Sequence, residues 1–383
     1  MNPQLKIKCL ICDTEAHIIS NHLKSHHPEV SIASYKEMYN GAAIHSDYAL
    51  QQQQRIRDEK AASGNVIKFP KTLSSTVLPI YEAFGMRTRA AFEVGDGFHT
   101  ITVFEPHEGH SDLVPAVDEN YIFDPELLRN VSMGFELNFP VYLWGHAGTG
   151  KSSLLEQICA HTNRPYMRIQ HTANTEECHI TGQILANSAG TYFEAGPLAL
   201  AMRYGFVYNA DEYDFAHPSV VAIYQAVLEG KSLLIKEAPI EWRTVKPHKN
   251  FRFVATGNTN GTGDETGLYA GTTTGNAANY SRFGITEYVD YMKRTQEIKV
   301  ISGQSHVPTD VAELFVDFAT AIRKAYKSSE ITMTVGPREI IFMAKIGAAR
   351  GGLWKEGIQL AYLNRLSEVD AEIVKAVMQR VFG

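Results

Sequence analysis

Apolar and polar positions divide the chain into three regimes. Between residues 139 and 258, "FPVYLWG" stops at Gly145, "SSLLEQICAHT" follows with helical spacing, and "YGFVYNADE" and "FRFVATGN" are two more apolar runs that end in polar residues. Short apolar runs bounded by turn formers suit buried strands, and strands alternating with helices predict a parallel α/β sheet. From about Val307 the pattern turns helical, in "DVAELFVDFATAIRKAYKSS", "PREIIFMAKIGAARGG" and "EVDAEIVKAVMQRVFG". That predicts a separate all-helical unit. The first 45 residues are a compact Cys- and His-bearing module. The polar, low-complexity stretch "DYALQQQQRIRDEKAASGNVIKFPK" behind it reads as a helix running into a flexible linker. The divisions expected are therefore a module at 1–45, a linker at 46–75, an α/β core at 76–300 and a helical domain at 301–383.

The strand-to-helix junction carries the strongest chemistry. "GHAGTGKS", Gly145 to Ser152, has the spacing G-x-x-x-x-G-K-[ST], with a strand before it and a helix after it. Gly145, Gly148 and Gly150 let the backbone through His146, Ala147 and Thr149 wrap phosphates with N–H groups. The following helix, with Ser153 in its first turn, presents its positive N-terminus to the same anion. Lys151 reaches the β- and γ-phosphates, and Ser152 can ligand Mg²⁺. A chance Gly-rich turn is the bland alternative, and the strand–loop–helix context argues against it.

Hydrolysis needs an acidic partner for this loop. Asp211 and Glu212 end the run "GFVYNADE", where a strand delivers them beside the phosphates: Asp211 for Mg²⁺, Glu212 to polarise water. An acidic helix cap is the plainer reading of the same pair. Asn258, at the end of "FRFVATGN", could hold that water. Arg282 in "NYSRFG" and Arg338 in "VGPRE" are candidates for offsetting transition-state charge, although a lone arginine is more often a surface residue.

The N-terminal module poses a different question. Cys9 and Cys12 form C-x2-C; nine residues separate Cys12 from His22, and three separate His22 from His26. Two thiolates on a turn facing two imidazoles on a helix suit tetrahedral Zn²⁺. His27 competes with His26 as the fourth ligand. This spacing and the continuation "HLKSHHPEVSIASYKEMY" resemble the Ros/MucR-type prokaryotic zinc finger. Fingers of that type bind DNA, yet Lys6, Lys8 and Lys24 have few cationic companions here, so protein docking is at least as good an expectation. "HTANTEECHI" and "EPHEGH" also hold His and Cys, which are more often packed or solvated than ligands.

Composition narrows the setting. The 383 residues are 44% hydrophobic and 20% charged, with a formal net charge of -6, so no global basic field recruits nucleic acid. No apolar run approaches the roughly 18 residues of a membrane span, and "MNPQLKIKCL" lacks the apolar core of a signal peptide. A cytoplasmic protein without membrane contact is expected. Four cysteines do not make a disulfide scaffold at this length.

The ordered set of P-loop, D-E, strand-end Asn, R-F and P-R resembles the AAA+ ATPases. "DEYDFAHPSVVAIYQAVLEGKSLLI", "FRFVATGNTNGTGDETGLYAGTTTGNAANYSRF", "VPAVDENYIFDPE" and the final "QRVFG" are similar to the CobS-type subunits of aerobic cobaltochelatases, in the MoxR branch of AAA+. The likeness spans about Phe84 to Gly383. It implies an ATP- and Mg²⁺-dependent AAA+ core with a helical lid, assembled as a homo-oligomeric ring, usually a hexamer, with ATP between neighbours. Asn258 then takes the sensor-1 role, Arg282 the arginine-finger role and Arg338 the sensor-2 role. "TGQILANSAGTYFEAGPLALAM" fits the branch's insert and "KSLLIKEAPIEWRTVKPHKNFRF" its hairpin, both facing the pore. The resemblance also implies a partner with a von Willebrand A domain, CobT-like in the chelatases. A DNA-associated ATPase tethered by its finger is the rival expectation.

Overall fold

The computed structural model describes residues 6–40, 42–52, 74–107, 109, 111–188, 190–264, 268–269, 271–272 and 275–383. The chain divides into a small unit, residues 1–68, and a large one, from Phe69 to Gly383 less the hairpin tip at 187–190. The helix expected at the start of the linker is present at 47–52; residues 53–73 of the expected linker lie outside the described residues.

In the large unit, five parallel strands form one sheet: β1 (Val141–Trp144), β2 (Tyr166–Gln170), β3 (Val207–Asp211), β4 (Arg252–Gly257) and β5 (Ile285–Tyr288), in the spatial order β5-β1-β4-β3-β2. The three apolar runs read from the sequence are the three central strands. They are buried on both faces, which is why they read as continuous hydrophobic stretches. The edges, β2 ("YMRIQ") and β5 ("ITEY"), escaped notice because they keep polar residues partly in solvent.

Helices cover both faces. Pro125–Leu137 is α1, its N-terminus capped by Asp124, whose carboxylate accepts from the N–H groups of Glu126 and Leu127. Lys151–His161 is α2, which buries Leu154, Leu155, Ile158 and Cys159 against β1, β3 and β4. The antiparallel pair Ser75–Pro79 and Thr100–Phe104 adds Ile101 to the same core, and Ile80 joins it from the next turn. The insert folds as paired strands, Gly182–Asn187 and Gly190–Ala195, followed by α3 (Pro197–Tyr204). After α4 (Pro218–Leu228), Leu233–Leu234 pairs antiparallel with Thr244–Val245.

The helical domain comprises α5 (Arg294–Ser305), α6 (Thr309–Lys327), α7 (Pro337–Ala349), α8 (Trp354–Ala361) and α9 (Glu368–Phe382), around Ile301, Phe315, Phe318, Ile340, Met343 and Ile358. The sequence boundary at 300/301 falls inside α5, whose Ile298 and Ile301 both pack into this helical core. Arg323 of α6 makes a buried bidentate pair with Glu297 of α5, at 2.7 and 2.8 Å, and donates from Nε to the Val335 carbonyl at 2.9 Å just before α7.

The small unit has a two-residue hairpin, Ile7–Lys8 with Glu15–Ala16, and two short helices, Ile19–His26 and Ile32–Met38. Its buried core is Cys9, Ile19, Leu23 and Tyr35.

Candidate active site and metal centre

The nucleotide site follows from the sheet. β1 ends at Trp144 and turns into the loop 145–150, which opens α2. Gly145 sits at a φ of 143°, and a side chain there would collide with the Val289 carbonyl. Lys151 is buried. Its ammonium donates to the Gly145 carbonyl at 2.7 Å, to the His146 carbonyl at 2.9 Å and to Asn258 Oδ1 at 3.4 Å. Burial pulls its pKa down to about 8, against the upward pull of Glu212, Asp214 and Asp211. Thr149 closes the loop by donating to the His146 carbonyl at 2.9 Å. Tyr269 accepts from the Ala147 N–H at 3.1 Å and meets His146 Nδ1 at 3.0 Å.

β3 delivers Asp211 beside the loop, with Ser152 Oγ 3.0 Å from Asp211 Oδ1. Thr256 donates to the same oxygen, and Arg168 on β2 donates from Nε to Oδ2 at 2.7 Å. Glu212 follows in the left-handed region at φ 53°, a strained backbone for a non-glycine residue and one that turns its side chain off the strand line. Asn258 Nδ2 donates to Glu212 Oε2 at 2.7 Å. Burial raises the Glu212 pKa, and Asp211 and Asp214 raise it further. Arg338, at the start of α7, lines the same cavity of about 380 Å³ together with Lys151, Ser152, Ser153, Asp211, Glu212 and Asn258. The chemistry of this set fits both groups the sequence calls for. A glycine-rich cradle with a buried cation matches a triphosphate, and Ser152 with Asp211 offers the hard oxygens Mg²⁺ prefers.

One candidate lies elsewhere. Arg282 is not among the cavity's lining residues. It pairs with Glu229 at 2.8 Å, and its side chain is 26% exposed. Two contributors went unnoticed in the sequence, Arg168 and Asp214. Each acts through a neighbour in space and has no motif of its own. His171 and Cys159 keep plain roles: His171 is buried between the Asp211 carbonyl (2.9 Å) and Tyr224 Oη (2.8 Å), and Cys159 is core, while His179 gathers with Glu176 and Cys178, donor atoms within 4.8 Å, and its Nδ1 accepts from the Glu176 N–H at 3.2 Å.

In the small unit, donor atoms of Cys9, Cys12, His22 and His27 all lie within 4.8 Å of one another. His26, the first choice from the spacing, is not in this set: its ring stacks on His22 at 4.5 Å and its Nδ1 meets Ser25 Oγ at 2.8 Å. The helix ends at His26, and the non-helical backbone of His27 (φ -138°) turns that ring back toward the thiols. Both H-x3-H and H-x4-H are permitted zinc spacings, so sequence alone could not choose. The residues fit Zn²⁺. Cys12 Sγ lies 3.1 Å from His22 Nε2, and its hydrogen bonding with Thr14, the largest cause, draws the Cys12 thiol down to about 5. His27 Nε2 is buried with no hydrogen-bond partner, while Glu29 lies 3.9 Å from its Nδ1, as a carboxylate behind a metal-bound imidazole would.

Residues 140–272 match the model of the AAA domain, dynein-related subfamily. The chain is 28% identical over 325 residues to the aerobic cobaltochelatase subunit CobS of a Sinorhizobium species, covering 81% of this chain and 92% of that one. It is 24% identical to the gas vesicle ATPase GvpN of Ancylobacter aquaticus (63% of this chain, 70% of GvpN) and 21% identical to the denitrification regulatory protein NirQ of Stutzerimonas stutzeri (63% and 84%). A solved Thermotoga maritima RuvB branch-migration motor overlays 70% of this chain and 72% of its own at 14% identity and a TM-score of 0.38. Sheet, P-loop and acidic pair together make this protein an AAA+ ATPase, an enzyme that hydrolyses ATP with Mg²⁺. Within that class it is MoxR-like, related to CobS, GvpN and NirQ. Among the described residues, no helix is long and apolar enough to cross a membrane.

Proposed function

We propose that the chain is the motor subunit of a homo-oligomeric ring, a hexamer, with ATP bound at each subunit boundary. Lys151 holds the β- and γ-phosphates, Ser152 and Asp211 hold Mg²⁺, and Arg338 reaches the phosphates from the lid of the same chain. Glu212 accepts the proton of the attacking water, which Asn258 orients. Arg282 serves the neighbour's nucleotide, and the observation that carries this reading is its place on Glu229, outside the cavity that gathers the other six.

The ring's work is done on a partner. The likeness to a cobaltochelatase subunit over 92% of its length favours a partner bearing a von Willebrand A domain, with the motor driving a metal-chelation or remodelling step. The insert and the hairpin at 233–245 face the pore. The N-terminal module is a structural zinc finger held by Cys9, Cys12, His22 and His27, and it docks protein rather than DNA. Within residues 6–40, Lys6, Lys8, Lys24 and Lys36 are matched by Asp13, Glu15, Glu29 and Glu37, which leaves no cationic surplus for phosphates. Leu10, Ile11 and Met38 are exposed there instead, at 49%, 37% and 55%.

A site completed by a neighbour makes turnover depend on assembly by mass action. Specific activity is expected to rise with protein concentration, in step with an ATP-promoted larger species in sedimentation. Constant specific activity across a monomer-to-oligomer transition would refute the shared site.

A further inference from the structure

Asp214 lies three residues beyond Asp211 and is almost wholly buried, at 1% exposure. Its Oδ2 accepts from the Asn258 N–H at 2.9 Å, the Thr259 N–H at 2.8 Å and Thr259 Oγ1 at 3.0 Å. The same turn is held a second time, where Tyr142 Oη donates to the Thr259 carbonyl at 2.5 Å. Gly257, the last residue of β4, admits this grip, because a Cβ there would strike Tyr142 Oη and crowd the Asp214 carboxylate. Burial raises the Asp214 pKa, and the hydrogen bonds from Thr259 and Asn258 oppose that rise; removing the carboxylate would leave buried N–H groups without an acceptor.

The turn so fixed carries a single side chain into the nucleotide cavity, that of Asn258, which reaches Glu212 at 2.7 Å and Lys151 at 3.4 Å. Glu212 leaves β3 in a strained left-handed conformation, so its carboxylate is aimed by what it touches as well as by its own backbone. We propose that Asp214 is a positioning residue for ATP hydrolysis: its carboxylate fixes the backbone of the turn at 257–259 and so sets the Asn258 amide against Glu212 and the attacking water. This rests on the reading of Asn258 as the group that orients the water. Asp214 is not among the residues that line the nucleotide cavity. It is expected to act chiefly on turnover, because the phosphate cradle is built by residues 145–152 and Asp214 reaches Lys151 only through its charge.

The test is a double-mutant cycle in the full-length protein, with turnover and nucleotide affinity measured separately. Asn258→Ala alone is expected to slow turnover; if it turns over normally, the reading of Asn258 fails and the inference with it. Asp214→Asn keeps the shape and one acceptor oxygen, and is expected to lower kcat about tenfold with the Kd for a fluorescent ATP analogue changed less than about twofold. In the Asn258→Ala background the same substitution is expected to cost less than about twofold, because its target is gone. Equal losses in both backgrounds, with Asn258→Ala itself impaired, would overturn the positioning role and leave Asn258 standing. A fall in affinity that matches the fall in kcat would also overturn it. If Asp214→Asn does not fold, Thr259→Val removes only the hydroxyl donor. Its effect, a loss of about threefold, must vanish in the Asn258→Ala background, or the proposal fails.

Discussion

The two units bring their functional groups together by different means. In the ATPase, Lys151, Asp211 and Asn258 hang from strand ends and a helix start whose backbones are locked into a large apolar core. Its groups hold one another: Ser152 on Asp211, Asn258 on Glu212, Asp214 on the turn between them. In the finger the core is Cys9, Ile19, Leu23 and Tyr35, and one of those four is itself a candidate ligand. A module this small buries little surface to offset the entropy of ordering its chain, so on the zinc reading proposed above its fold is expected to depend on the metal. The ATPase prepares its site by folding, whereas the proposed finger is expected to fold by filling its site.

That contrast can be broken most severely with the metal. About one zinc per chain is expected in elemental analysis, and Cys12→Ser or a strong chelator should unfold the finger altogether, since structural zinc contributes on the order of 10 kcal/mol or more to such modules. Basal ATP hydrolysis should survive, as it should survive deletion of residues 1–70. Finding no zinc in freshly isolated, chelator-free protein would remove the metal from the account.

The next effect belongs to the other unit. Glu212→Gln is expected to lower kcat by about 10²-fold or more while ATP still binds, because only the proton acceptor is lost. Lys151→Ala should abolish tight binding, by loss of the cation the phosphates face. Near-normal turnover by Glu212→Gln in a coupled phosphate-release assay would reassign the base.

Proton linkage gives a smaller effect. Burial and two neighbouring carboxylates raise Glu212, so it is protonated, and unable to accept from water, up to a higher pH than an ordinary carboxylate. The acid limb of kcat should fall correspondingly above about pH 4.3, the unperturbed value. Lys151 without nucleotide loses its proton as pH rises through about 8. ATP affinity should therefore decline above that pH, and binding at pH 8 to 9 should take up a proton, since the phosphates favour the charged ammonium. Calorimetry in buffers of different ionisation enthalpy reads this directly. The finest distinction separates adjacent histidines: His27→Ala should release zinc, whereas His26→Ala should keep it, because only His27 lies among the four gathered donor atoms and His26 stacks on His22.

What could be read from the chain follows the same division. The central strands announced themselves because both faces are buried, and the P-loop because phosphate chemistry fixes its spacing. The edge strands β2 and β5 stayed hidden behind polar residues such as Arg168 and Glu287. Helix α5 was cut in two because Glu297 and Ser305 face inward, so its buried face does not read as apolar. Arg168 and Asp214 gave no sign, because their roles come from partners on other strands, 43 and 44 residues away in sequence. That His27 and not His26 lies among the thiols depends on the backbone after the helix, which no spacing rule contains.

The central claim is a site shared between neighbouring chains, and mixing tests it most directly. Arg282→Ala and Lys151→Ala are each expected to be nearly inactive. Mixed, they form some boundaries that pair an intact P-loop from one chain with an intact arginine from the other. ATP hydrolysis by the mixture should then exceed the sum of the separate activities, with sedimentation showing that the two variants co-assemble. Co-assembly with no gain at any mixing ratio would contradict action across the boundary and leave Arg282 as the structural partner of Glu229.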